Sequence, residues 1–323
     1  MNKPPHTSLF LAITWLALTA AMLPGLVQHA GAQTTISGTV TVTDPATYFG
    51  SAGIITFPSG TTLQVNPGSN GTYNISNAFV LSGGAGTINL KCNRNDTIYN
   101  FTGPFSSTAS AAQTLAITTG YAGNGDREEI TLDTAIPNAT GGSALSVNVT
   151  FASQTASFDY VNLKGANTFT GNITLTQGNA SPQGYLTVGG RGYKPASANF
   201  AVTPGTGGLA TNYSGNVALG NATTFVYASS AAQNMAGVIS GVGTMRVAGT
   251  GALTLSGVST YSGNTTVDSG GSLVLANTGG LKFTVTNSTA NKVTGAGSST
   301  FNGTFTIDTT AVTNTSGTWT LVD

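Results

Sequence analysis

Few residues in this sequence have the types and spacing to do chemistry. Only 6% of its 323 residues are charged, and the formal net charge is zero. The densest acidic stretch is Asp126-Arg127-Glu128-Glu129, with Asp133 close behind. Paired carboxylates can act as acid and base in sugar cleavage, and next to Asn124 they could also hold calcium. In a strand, Glu128 and Glu129 point to opposite faces, while Asp126 and Glu128 share one. The plainer reading, which we adopt, is a solvated turn that keeps a sheet edge charged. A second cluster, Arg191-Gly192-Tyr193-Lys194, is the densest cationic spot. It suits an acidic polysaccharide through charge and Tyr stacking, or it is an exposed loop.

The remaining chemistry is limited by what export removes. Lys3, the apolar run Leu9 to Leu23, the break at Pro24-Gly25 and the small residues Ala30-Gly31-Ala32 form a secretory signal. Cleavage is expected between Ala32 and Gln33. The apolar run falls short of the ~20 residues a bilayer span needs, so residues 1–32 are expected to be removed and no membrane span to remain. Both histidines, His6 and His29, leave with that segment. Without His there is no Ser-His-Asp arrangement and no His/Cys zinc cluster. Cys92 is the single cysteine, either a small buried hydrophobe or a reactive thiol. We therefore expect no catalytic residues, no metal and no cofactor. Scarce Lys and Arg also argue against nucleic acid as a partner.

The elements that would position any site are strands. Gly accounts for 44 residues, and the helix-forming mix of Ala, Leu, Glu and Lys is missing. Thr, Val, Ile and aromatics recur in alternating runs such as Thr34 to Val42, with Gly and Asn between them. No helix is expected after residue 32, with Tyr227–Met235 left open as a short helical or extended edge segment. In the second half one phrase returns four times: Phe169-Thr170-Gly171-Asn172, Tyr213-Ser214-Gly215-Asn216, Tyr261-Ser262-Gly263-Asn264 and, more loosely, Phe301-Asn302-Gly303. The copies recur about every 40–50 residues, as in solenoids, and each must stack on its neighbours to bury its apolar row. The aromatics are expected in the core or along its edge. The glycines are expected at corners, for positive φ or for close approach of successive coils. The Asn residues either form a ladder or tolerate a turn. Exposure of Tyr193, Tyr213 and Tyr261 would separate sugar docking from core packing.

The stretch Thr250 to Ala276, Thr-Gly-Ala-Leu-Thr-Leu-Ser-Gly-Val-Ser-Thr-Tyr-Ser-Gly-Asn-Thr-Thr-Val-Asp-Ser-Gly-Gly-Ser-Leu-Val-Leu-Ala, resembles the autotransporter-associated β-strand repeat. That pattern runs G-x-L-x-L-x-G-x-x-x-Y-x-G-x-T-x-V-x-x-G-x-L-x-L. Residues 161–190 are similar to a second, degraded copy. The resemblance implies a right-handed parallel β-helix, the passenger of a secreted or surface-displayed bacterial protein. The style also resembles proteins bearing a PEP-CTERM sorting signal. Neither a Pro-Glu-Pro motif nor a barrel follows here, and the sequence stops at Asp323 in mid-strand by its pattern. We read it as a fragment or a shortened secreted copy.

The expected organisation is a signal peptide at 1–32, a less regular β-rich solenoid region at 33–159, and a repeat solenoid at 160–323. The expected function is a non-enzymatic surface or secreted scaffold or adhesin that meets extracellular polysaccharide or cell-surface components. The alternative is a carbohydrate-binding or polysaccharide-degrading β-helix.

Overall fold

The structure is a computed structural model that describes residues 33–50, 53–94, 96–120, 127–152, 158–178, 183–193 and 200–323. The segment read as a signal peptide lies outside the described residues, as do Asp126 and Lys194, and the cut expected before Gln33 falls at their edge.

Short strands, each pairing in parallel with its counterpart one coil further on, make a parallel β-helix. An eight-stranded sheet runs from Thr39–Val42 to Ile239–Gly241, and a nine-stranded sheet from Thr72–Ile75 to Val293–Thr294. A four-stranded sheet near the N-terminus and a five-stranded sheet from Asn212–Tyr213 to Ser298–Phe301 form the third side. Both large sheets contain strands from before and after residue 160.

Register follows the alternation in the sequence. Leu115 pairs with Val147, Val147 with Ile173, Ile173 with Val217 and Val217 with Ile239. All are buried. Each coil sits about 4.8 Å above the last, so one aliphatic side chain covers the next, at about 1.5–3 kcal/mol per fully buried side chain. One continuous core runs from Ile36 to Val293.

The repeated phrases mark corners: the first two lead into the eight-stranded sheet and the fourth into a three-stranded sheet, whereas Tyr261–Asn264 leads into Thr265–Val267 of the nine-stranded sheet. Phe169, Tyr213 and Tyr261 are fully buried, and Phe301 is half-buried. The Phe169 and Tyr213 rings meet edge to face at 5.9 Å. Of the two uses of glycine, these positions show close approach. A Cβ on Gly215 would lie 2.2 Å from the Gly171 carbonyl, and one on Gly263 would lie 2.0 Å from that of Gly243. None of the four repeat glycines has a positive φ.

The Asn side chains act between coils. Asn172 Oδ1 accepts the Asn216 N–H at 2.9 Å, Asn216 Oδ1 accepts that of Val238 at 2.9 Å, and Asn264 Oδ1 accepts that of Lys292 at 3.0 Å. These are side-chain-to-backbone links rather than an amide ladder between copies.

One expectation fails at the start of the stack: Pro45–Phe49 is an α-helix. Asp44 accepts the Thr47 N–H at 3.2 Å, and Pro45 stands in the first turn, where its missing N–H costs nothing. The helix packs against Thr72–Ile75, the strand that ends the nine-stranded sheet. There it covers an edge that would otherwise stay unpaired. A 3-10 turn, Thr140–Gly142, is a second departure from an all-strand reading.

Candidate functional site

The acidic stretch read as a solvated turn is a buried strand. Arg127–Leu132 pairs in parallel with Thr97–Phe101 on one side and Phe158–Leu163 on the other. Glu128 is 2% exposed and Glu129 0%, which overturns the turn reading. The two acids do point to opposite faces. Glu128 is in phase with Ile130 and Leu132 and faces the core, while Glu129 is in phase with Thr131 and faces outward.

An outward residue on a solenoid is ordinarily wet. Here the outer face is covered by an antiparallel hairpin, Gly190–Tyr193 paired with Ala201–Pro204. It leaves the coil just after Gly184–Val188 and folds back over the nine-stranded sheet. The sequence favours this because the outer face carries apolar residues where polar ones would be usual. Tyr160, Tyr185, Val226 and Ala228 form a second hydrophobic cluster, with Phe200 and Val202 of the hairpin packed on it. The Phe200 ring stacks on Tyr185 at 4.2 Å and on Tyr160 at 5.9 Å. Arg246 caps Phe200 with its guanidinium at 5.0 Å from the ring and also pairs with Asp268 at 2.8 Å.

Beside this apolar patch lies a polar one. Arg191 grips Glu129 with two nitrogens, Nε on Oε1 and Nη2 on Oε2, the latter at 2.8 Å. Thr131 and Asn162 both donate to Glu129 Oε1 at 3.1 Å, and Asn162 Oδ1 accepts the Gly192 N–H at 2.8 Å. The hydrogen bond that Arg191 donates to Glu129 holds its guanidinium above its ordinary pKa despite partial burial. At the rim, Arg191 lies over the Tyr193 ring at 4.8 Å, and Lys164 pairs with Asp133.

This geometry bears on each candidate. Glu129 has both oxygens engaged and no solvent access, so it cannot serve a ligand as acid or base. Glu128 and its neighbour Asp159 are sealed in the core. Tyr213 and Tyr261 are fully buried, which removes them as sugar platforms, while Tyr193 is half-buried. Cys92 is buried, and burial followed by the Glu128 charge pushes its thiol pKa up. Among the described residues, no group of three or more His, Cys, Asp or Glu is placed to hold a metal, and no helix is long and apolar enough to cross a membrane. Sequence reasoning linked Arg191 to a loop or a ligand, and missed its bond to Glu129. The signal available was the excess of outward aromatics at Tyr160 and Tyr185.

Comparison with known proteins adds one likeness. The chain is 30% identical, over 243 residues, to the adhesin BmaC autotransporter of Brucella suis biovar 1 (strain 1330). The match takes in 67% of this chain but 6% of that protein. No family model matches the chain, so the resemblance to the β-strand repeat rests on the residues quoted above. No solved structure matches it.

Proposed function

We propose that this chain is an exported, non-enzymatic, adhesin-like passenger acting outside the cell or at the bacterial surface. The observation that carries this reading is a parallel β-helix similar to a stretch of a protein named as an autotransporter adhesin. The sealed acids support it, since Glu128 and Glu129 are both buried away from any substrate. Residues 1–32 direct export, 33–159 form the first, less regular coils, and 160–323 form the repeat-bearing coils. The partners are extracellular polysaccharide or cell-surface components, met by the outer faces of the coils.

The reading is tested by expressing the chain from its own N-terminus in a bacterial host and locating it by protease shaving of intact cells. The purified product is then assayed for retention on cell-surface and polysaccharide supports. Export with saturable retention is expected. Retention in the cytoplasm, or turnover of a polysaccharide by the pure chain, would overturn it.

A further inference from the structure

Asn70-Gly71 ends the loop between the strands Thr62–Val65 and Thr72–Ile75. The loop is anchored on both sides of this dipeptide. Before it, the Gly68 N–H donates to the Thr43 carbonyl at 3.1 Å, and the Tyr73 hydroxyl donates to the Ser69 carbonyl at 2.8 Å. After it, the Ile98 N–H donates to the Gly71 carbonyl at 2.9 Å. Between these anchors the Gly71 N–H meets no acceptor among the described residues. Asn70 and Gly71 are both exposed. Beyond its chain neighbours, a Cβ on Gly71 would meet only the Tyr73 ring, at 3.9 Å. On the side-chain side, Arg94 Nε donates to Asn70 Oδ1 at 2.9 Å.

We propose that Asn70 is a self-modifying site: the Gly71 nitrogen attacks the Asn70 side-chain amide, whose carbonyl Arg94 polarises, and the amide becomes a carboxylate. A solvent base removes the Gly71 amide proton, and the nitrogen bonds to Asn70 Cγ. The Cγ–Nδ2 bond breaks, and ammonia leaves with a proton from water. Water then opens the cyclic imide. Addition at Cγ restores the peptide and leaves an ordinary aspartyl side chain. Addition at the Asn70 backbone carbonyl carbon routes the chain through Cβ and Cγ, an isoaspartyl link. Nothing is oxidised or reduced.

Arg94 is placed to help because negative charge builds on Asn70 Oδ1, the atom it already touches. A hydrogen bond from a cation strengthens as that charge forms, so it lowers the barrier more than it holds the ground state. Glycine at the next position leaves the attacking nitrogen uncrowded.

Another Asn-Gly pair supplies the contrast. Asn302 is exposed as well, but its backbone is fixed. The Asn302 N–H donates to the Leu275 carbonyl at 2.9 Å, and the Thr304 N–H to the Gly279 carbonyl at 3.0 Å. A Cβ on Gly303 would lie 2.3 Å from the Gly279 oxygen, so this peptide is wedged against the coil beneath it and cannot turn to attack.

The test ages the full chain in mildly alkaline buffer, folded and in urea. Mass spectrometry of a protease digest then reads the amide-to-acid mass gain at each Asn. In the folded chain Asn70 should convert at least about tenfold faster than Asn302, whereas in urea, where both are followed by an unrestrained Gly, their rates should be similar. Arg94→Ala should slow Asn70 in the folded chain about tenfold, the effect of losing one hydrogen bond to a charged group, and should change nothing in urea. Gly71→Ala, which finds open space in the fold, should also slow it. Conversion of Asn302 as fast as Asn70 in the folded wild type would overturn the proposal, with no variant needed. So would an Asn70 rate in the folded chain that Arg94→Ala leaves unchanged.

Discussion

Replacing Arg191 with Ala removes the guanidinium but leaves Glu129 in place, 0% exposed. Glu129 Oε1 keeps Thr131 and Asn162 as donors at 3.1 Å, whereas Oε2 loses the Arg191 nitrogen at 2.8 Å. Stranding a buried carboxylate costs about 3–5 kcal/mol. The Arg191 side chain is 36% exposed, so water can enter the space it vacates, and two donors remain. The low end applies, about 3 kcal/mol, with up to about 1 kcal/mol more from the lost contact with the Tyr193 ring.

Solenoid stability is a sum of local and nearest-neighbour terms, so the loss should fall first on the hairpin and the strands beneath it. Hydrogen exchange of peptides covering 128–132, 158–163 and 190–193 should then speed up roughly 100-fold, at 1.4 kcal/mol per decade. Peptides from the far coils around 273–283 should be little changed. The double variant Arg191→Ala/Glu129→Gln should recover more than half of the lost protection, because no charge is left stranded. Wild-type exchange in the single variant, or no recovery in the double, would refute the view that the ion pair clamps the hairpin.

Three further outcomes follow from the core. Gly263→Ala should destabilise by about 3 kcal/mol, because its Cβ would lie 2.0 Å from the Gly243 carbonyl. Gly270→Ala, with φ +84° and nothing within 4 Å, should cost only the left-handed backbone strain of about 1–2 kcal/mol. Urea midpoints of the pair check the difference. Tyr261→Ala should cost about 3–5 kcal/mol and fray the coils on either side, seen as local exchange rather than a uniform change. Cys92 should resist a thiol-specific reagent in the native chain at about pH 8, close to the free-thiol value, and react on unfolding. Its burial and raised pKa both withhold the thiolate.

Much of the fold is legible in the sequence because its rule is local. Alternation at period two places Val147, Ile173 and Val217 on one side of their strands, and parallel stacking turns that side into a core. The repeat aromatics follow the same rule. Which use each glycine serves is not local, because close approach at Gly215 depends on a carbonyl 44 residues earlier, at Gly171. The helix Pro45–Phe49 had a signal in Asp44-Pro45, but it spans only five residues, too short a stretch for helical periodicity to stand out.

The acidic stretch is the instructive failure. That Glu128 and Glu129 diverge is dictated by the strand alone. That both are dry depends on residues far along the chain. Glu129 is sealed by a hairpin whose Arg191 lies 62 positions away. Glu128 is sealed by the register that sets it against Asp159.

The two acids show how one alternation yields two electrostatic solutions. Outward, a buried carboxylate can be met by a long cation from an insertion, because an insertion is free to place Arg191 where it is needed. Inward, each position is filled by whatever the next coil supplies in register, and for Glu128 that is another acid. There burial, and then the Asp159 charge, hold the Glu128 pKa well above the ordinary carboxylate value. The outer solution should weaken with salt only at its exposed rim, through Asp133 and Lys164, since the screening length is about 8 Å in water. The inner one should respond to pH and hardly to salt. Measuring urea midpoints across pH at low and high ionic strength would separate the two, and a pH response abolished by salt would count against an interior origin.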